Sequence, residues 1–479
     1  MTWTVTVTGP SRDVVDLPAG IAAGHPVTAE VGLRILTKGG SAADAAVAAV
    51  LASCVAESIM TGIAGGGFAT YYEAASGTVT CLDFFVAVPG LDGRAPAAMT
   101  PVAVKFGDIP LQYAIGAPSA AVPGVPAGLG EIHARWGRLP WHTVVSPAVD
   151  VARTGVIMLA EHARALTYLA PAMTYGEGAA IYAPQGQLLS GGELVHHPGL
   201  DRALALLAEE GPDVFYTGTI GQRIAETVDA GGGALSVTDL AAYRVLEPPV
   251  TRAHFAGTWV YGRTDLNRTI DTLQAISDLA SHSPRDRAVI VADALRSYAA
   301  HRLGDTTNTA VVDPEGNACV VTTTLGLGAG VWVPGLGIHL NSMLGEGELI
   351  SSEIRPGMRM SSMMCPLVVT SGPQPGSLLL AAGAAGASRI RTALVHTLIG
   401  VFVDGLNPYD AVARPRFHVV GRTVHAEPGV PPEQLAVLEN AGYKVHRWRE
   451  FDHYFGGASA VGQGGAAGDP RRGGVGLVL

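Results

Sequence analysis

The spacing of apolar residues changes twice within the first seventy positions. From Pro26 to Lys38 they recur at helical spacing and stop at Gly39-Gly40, which predicts a helix over 26–38. Ser41 followed three residues later by Asp44 is a capping-box pattern, so a second helix is expected over 41–56. Its run AADAAVAAVLASCVA is small and apolar on nearly every face, which predicts burial. The glycine-rich stretch IAGGGFATYYE at 63–73 reads as a turn feeding a strand.

Further punctuated runs predict helices over 124–136, 142–154, 200–210, 219–231 and 286–300. After residue 305 the character shifts. TTNTAVVD (306–313), NACVVTTTL (317–325), PLVVT (366–370) and GSLLLAA (376–382) read as strands, with one strong helix over 388–403. Helices outside and strands inside predict a layered α/β architecture with strand pairs from both halves in the core. The opening MTWTVTVTGP alternates and reads as a strand, without the basic and apolar regions of an export signal.

With 479 residues, 48% hydrophobic and 15% charged, the chain can bury a large core. A net charge of -10 argues against nucleic-acid or anionic-membrane partners and for a small-molecule substrate. The longest uncharged stretch, 316–345, is broken by Gly, Pro, Thr and Asn, so no membrane span is expected. Cys54, Cys81, Cys319 and Cys365 are far apart and read as buried thiols, not as a zinc knuckle or disulfide framework. His196-His197 lacks a third ligand at metal spacing, and Gly65–Gly67 lacks the context of a phosphate loop, so neither metal nor cofactor is expected. Thr306-Thr307, taken alone, is strand composition.

The order of longer motifs changes that reading. HPVTAEVGLRILTKGGSAADAAV through TGIAGGGF, VPGVPAGLGEIHARWGRLPWHTVVSPAVDVARTG (122–155), FYTGTIGQRIAETVDAGGGALSVTDLAAY (215–243), RPGMRMSSMMCP (355–366), GAAGASRI (383–390), GLNPYDAVARPRFH (405–418) and GDPRRGG (468–474) together resemble the γ-glutamyltranspeptidase branch of the N-terminal-nucleophile hydrolases. The resemblance implies a four-layer αββα sandwich. It also implies a zymogen that cuts itself between Asp305 and Thr306 into residues 1–305 and 306–479. The two fragments would stay together as a heterodimer forming one αββα unit.

By the same resemblance Thr306 is the nucleophile and its freed α-amine the base, since a threonine hydroxyl needs a proton acceptor and an α-amine has a pKa of roughly 8. Thr324 matches the threonine that orients the nucleophile. Gly386 and Ala387 match the turn whose N–H groups bind the oxyanion; alanine serves there provided its φ is negative. Ser361 and Ser362 match the pair on the substrate α-carboxylate, and Glu346 the acid on its α-amine. The arginine that grips that carboxylate is replaced: the segment reads Asp83-Phe84-Phe85-Val86-Ala87-Val88-Pro89, with Phe85 in the arginine's place. An apolar ring cannot offer a bidentate fork.

Gly326 stands where an asparagine is usual, Asn308 replaces a histidine, and RTDLNRT (263–269) replaces a proline- and serine-rich loop, so a remodelled substrate side is expected. His301–Asp305 runs straight into Thr306 without the usual long excursion. These departures resemble β-lactam side-chain acylases and members tied to antibiotic biosynthesis, some cleaving C–C bonds. They imply a cytoplasmic, self-processing hydrolase or acyltransferase acting on an amino-acid-derived intermediate rather than on glutathione. A true γ-glutamyl hydrolase or transpeptidase is the alternative, and an uncut non-enzymatic relative a third reading.

Overall fold

The computed structural model describes residues 17–106, 109–263, 267–297, 306–346, 354–373 and 376–479. Two six-stranded antiparallel sheets lie face to face. The first runs in the order β12-β1-β6-β7-β2-β3, with β1 Gly20–Ala23, β2 Gly66–Glu73, β3 Thr78–Phe84, β6 Thr307–Val312, β7 Ala318–Thr324 and β12 Val475–Val478. The second runs β11-β10-β9-β8-β5-β4, with β4 Thr251–Phe255, β5 Thr258–Gly262, β8 Leu367–Thr370, β9 Leu378–Ala385, β10 Gly457–Gly462 and β11 Gly465–Gly468. Segments before and after residue 306 alternate within the first sheet, since β6 pairs with β1 and β7 with β2.

Period-two alternation divides the core into three layers. In β6, Ala310 and Val312 point between the sheets with Val320, Val368, Ala381 and Val461, whereas Val311 joins the layer beneath the helices. That outer layer is capped by α1 (Pro26–Thr37) and α2 (Ala42–Ala56). Every residue of α2 is buried, because its alanines let neighbours approach on all sides. The Ser41–Asp44 capping box forms as the sequence pattern requires. On the far side, α3 (Arg389–Phe402) covers the second sheet through Ile390, Leu394 and Leu398. The result is the αββα sandwich.

The helices expected over 124–136, 142–154, 200–210 and 219–231 occur as Val125–Trp136, Trp141–Thr154, Leu200–Glu210 and Thr219–Ala230. The one expected over 286–300 is observed as Pro284–Arg296, with positions 298–300 outside the described residues. The expected N-terminal strand also lies outside them, as does Asp305. Several elements were not predicted from the sequence, among them strands β3, β4, β5, β10, β11 and β12, the helix Ala160–Met173, the hairpin Thr100–Phe106 with Ile109–Ile115, and a three-stranded sheet built from Phe417–Val420, Thr423–Ala426 and Lys444–Arg447. All four cysteines are buried thiols.

Candidate active site

β6 begins one residue after Thr306, and its pairing with β7 sets Thr307 opposite Thr323. Thr306 and Thr324 therefore stand one step beyond the last rung, at the same end of the ladder. Both are buried, and both line one small cavity with Phe85, Met343, Glu346, Ser362, Met363, Met364, Ala387 and Ile390. Of the residues singled out in the sequence, the fold thus brings Thr306, Thr324, Phe85, Glu346, Ser362 and Ala387 together. Ser361 and Gly386 flank the cavity without lining it.

The turn Gly386-Ala387 follows β9 directly. Gly386 has φ +112° and Ala387 φ +51°, so the expectation of a negative φ at Ala387 is corrected: an alanine occupies the left-handed region. For a residue with a Cβ that costs about 1–2 kcal/mol. The turn is closed by Arg389 N–H donating to Gly386 O at 3.0 Å and Ile390 N–H to Ala387 O at 3.0 Å, which fixes the strained pair at the entrance to α3.

Phe85 is fully buried and stacks on Phe68 with ring centroids 5.5 Å apart. The nearby guanidinium groups of Arg263 and Arg359 pair with Asp83 instead, at 3.0 and 3.2 Å. Arg359 also donates to the Phe85 carbonyl at 2.7 Å. Asp83 in turn accepts from the Phe85 N–H at 2.9 Å, fixing the backbone that presents the ring. The wall therefore carries an aromatic ring where charge was expected, with the cations behind it.

Gly326 has φ +68°, and a Cβ there would stand 2.3 Å from Glu346 Oε1; glycine leaves room for that carboxylate. Thr324 Oγ1 accepts from the Gly326 N–H at 3.0 Å, which fixes the turn that follows β7. Within RTDLNRT, Asn267 donates to the Met363 carbonyl at 2.6 Å and supports the methionine wall; positions 264–266 lie outside the described residues. Asn308 does not line the cavity. It is buried between the sheets, bonded to Thr322 at 2.6 Å and packed against Gly383. The substitution there alters the inter-sheet layer rather than the cavity wall.

Sequence reasoning missed Met343, Met363, Met364 and Ile390 as lining residues, although the two central methionines fall within a quoted motif. It also missed Glu57 and Arg472, which contact Thr307 and Thr306 from outside the cavity. Glu57 accepts from Thr28 Oγ1 at 2.8 Å and from Thr307 Oγ1, and burial pushes its carboxyl up to about 7 against the pull of those two hydroxyls and of Arg472. Arg472 donates to the Thr306 carbonyl at 3.1 Å. A lone charge closing an apolar helix was the only sign of Glu57. His197, half of the histidine pair, packs edge-on against Tyr182.

The sequence profile described as Gamma-glutamyltranspeptidase matches residues 28–276 and 267–479. Acylase ACY 1 proenzyme of Pseudomonas sp. (strain SE83) is 28% identical over 494 residues, covering 89% of this chain and 87% of its own. Glutathione hydrolase proenzyme of Escherichia coli (strain K12) is also 28% identical, over 507 residues, covering 89% and 86%. Among solved structures, cephalosporin acylase from Bacillus halodurans superposes with a TM-score of 0.78 at 22% identity, covering 100% of this chain and 99% of that one, a likeness of fold.

Proposed function

The chain belongs to the γ-glutamyltranspeptidase family of N-terminal-nucleophile threonine hydrolases and transferases, and from that premise we propose that it is a self-processing hydrolase or acyltransferase for an amine-bearing, amino-acid-derived intermediate without a free α-carboxylate. The observation that carries this reading is the cavity wall. Phe85, Met343, Met363, Met364 and Ile390 are apolar, Glu346 is the charged side chain among the lining residues, and Arg263 and Arg359 are turned to Asp83. A carboxylate placed there would meet Glu346 and an aromatic ring, and desolvating it without a cation is costly. An ammonium would meet a carboxylate and a ring face, both favourable. Methionines re-pack readily around an unfamiliar acyl group.

The chemistry follows from the ends of the two strands. Self-cutting would begin with Thr306 Oγ attacking the carbonyl of residue 305; water then hydrolyses the ester and leaves Thr306 with a free α-amine. In turnover that amine takes the hydroxyl proton as Oγ attacks the substrate carbonyl, and the N–H groups of Gly386 and Ala387 receive the oxyanion, the alanine serving in its left-handed conformation because the turn's own hydrogen bonds hold it there. Collapse expels the leaving group, an amine or a stabilised carbanion, with the proton the ammonium returns. Water or an acceptor amine then resolves the acyl-enzyme. That the two 28% relatives are both named proenzymes supports the cutting step. A role in antibiotic biosynthesis in the cytoplasm belongs to the same proposal.

The competing reading, a γ-glutamyl hydrolase or transpeptidase, draws on the equal similarity to glutathione hydrolase. Intact-mass analysis of purified protein followed by paired turnover of a γ-glutamyl anilide and the matching 4-aminobutyryl anilide, which lacks the carboxylate, separates the two. Two fragments and a preference for the second substrate are expected. Preference for the γ-glutamyl compound would overturn the substrate assignment, and a single uncut chain would overturn the processing assignment.

A further inference from the structure

The peptide joining Thr306 to Thr307 is gripped from behind by two buried side chains of opposite charge. Arg472 Nη1 donates to the Thr306 carbonyl at 3.1 Å, and Glu57 accepts from the Thr307 hydroxyl. Glu57 is 0% and Arg472 3% exposed, and neither lines the cavity. Glycines clear their paths. A Cβ at Gly24 would lie 2.3 Å from Glu57 Oε2 and 3.0 Å from Thr307 Oγ1; one at Gly457 would lie 2.4 Å from Arg472 Cδ, and one at Gly386 3.3 Å from Arg472 Nη2. Arg472 thus threads between the oxyanion turn and the nucleophile. Its own turn is fastened by buried ion pairs, Arg416 to Asp469 at 2.6 Å and Arg471 to Glu427 at 2.5 Å and to Asp469 at 3.1 Å.

Such a grip matters most once the chain is cut. An N-terminal residue has no covalent restraint on its amino side, so the peptide that follows carries a larger share of aiming its nitrogen and hydroxyl. We propose that Glu57 and Arg472 are positioning residues, a buried clamp on the Thr306–Thr307 peptide that aims the Thr306 hydroxyl and sets how readily its α-amine accepts the proton. This rests on the self-processing reading above. A misplacement of 1 Å costs on the order of 100-fold in rate. A guanidinium beside the amine disfavours the ammonium form, and the carboxylate of Glu57 favours it.

Among the described residues, Glu346 lines the same cavity as Thr306, while β7 and the Gly386-Ala387 turn contribute Thr324 and Ala387 to it. Behind Arg472, His162 Nε2 meets its carbonyl at 3.1 Å, and burial pushes His162 and the neighbouring His25 down to about 3 and about 4, so both are neutral at pH 7.

The test uses full-length wild type, Arg472→Lys, Arg472→Met and Glu57→Gln. Cutting is read by intact mass. The rate at which phenylmethanesulfonyl fluoride esterifies Thr306, with fluoride leaving and the hydroxyl proton passing to the amine, is followed against pH. We expect Arg472→Met to label about 100-fold more slowly, with the acid limb of its profile moved to higher pH. Arg472→Lys keeps the charge and holds the limb while losing part of the rate, and Glu57→Gln moves the limb to lower pH. Rates within twofold of wild type, or limbs that stay in place in both charge-removing variants, would overturn the clamp. If Arg472→Met does not melt cooperatively, the near-isosteric Glu57→Gln decides by the direction of its limb. An uncut, unlabelled wild type would instead strike the self-processing reading itself.

Discussion

The two faces of the strand that begins at Thr307 are built on different principles. Toward the second sheet, Thr306 meets a small cavity of methionines, Phe85 and Ile390, side chains that tolerate exchange of shape. Toward α2, Thr307 is bound to a fully buried carboxyl whose other oxygen is held by Thr28. A loosely specified apolar wall can change its ligand without disturbing the strand. A buried carboxyl with fixed partners cannot, because removing one contact leaves an unsatisfied buried polar group at a cost of about 1–3 kcal/mol. The cavity wall and the buried support of the strand are therefore separated by one residue of alternation.

The largest effect that would sharpen this contrast comes from Thr306→Ala. It removes the proposed nucleophile from the cavity face alone, so cutting and turnover should both vanish, by at least about 1,000-fold, while the melting curve stays cooperative. Residual cutting seen by intact mass would break the comparison at its root. Next in size is Phe85→Arg. A guanidinium restored to the wall should raise kcat/KM for a γ-glutamyl anilide by about 10-fold or more, and burying it should lower stability by about 3 kcal/mol in the absence of substrate. Loss of stability without the gain would show that the wall does not set substrate charge.

The back face predicts a pH signature. The Glu57 carboxyl is raised to about 7 from 4.5, so the folded state binds the proton more tightly than the unfolded chain does. Its contribution is fully present below about pH 4.5 and is lost as pH rises through about 7. Relative to Glu57→Gln, wild type should therefore lose on the order of 1–3 kcal/mol between pH 5 and 8, measured by urea melts. Buried histidines oppose this at the acid end. Burial lowers His25 and His197 to about 4 and His162, His339 and His396 to about 3, so the stability they confer is present above their ordinary pKa of 6.5 and lost as pH falls toward 4. The smallest effect is expected from Ala387→Gly, which relieves the left-handed alanine. It should gain about 0.5–1 kcal/mol and leave labelling of Thr306 within a few-fold of wild type.

Most of the layered fold was legible because the helices and strands carry their period in their own residues. The Ser41–Asp44 box and the alanine run fixed α2, and the β-branched runs fixed β6 and β7. The hairpin at 100–115 was missed although Val102, Val104 and Phe106, then Ile109, Leu111, Tyr113 and Ile115, recur at every second position; most of its residues whose burial is described are exposed or half-buried, so the alternation does not mark a core strand. Within the candidate site, motif order pointed to Thr306, Thr324, Glu346 and Ser362, and substitution at Phe85 pointed to a changed wall. Nothing local marked Met343 as a neighbour of Thr306, and Ile390, although it closes the motif GAAGASRI, sits between Arg389 and Arg391 with no sign that it lines the cavity.

By itself the sequence determined that Thr306 would stand at the head of a β-branched run and that Phe85 occupies the place of the arginine in the family pattern, because identity and order are written directly in the chain. Only the tertiary structure decided that Arg263 and Arg359 turn to Asp83 instead of the cavity, that Asn308 lies between the sheets, that Ala387 bears a positive φ, and that Glu57 and Arg472 close on one peptide from positions more than 400 residues apart. The physical reason is that hydrogen-bond partners and backbone strain are set by what the packed sheets and helices bring within about 3 Å, a distance that separation along the chain does not encode.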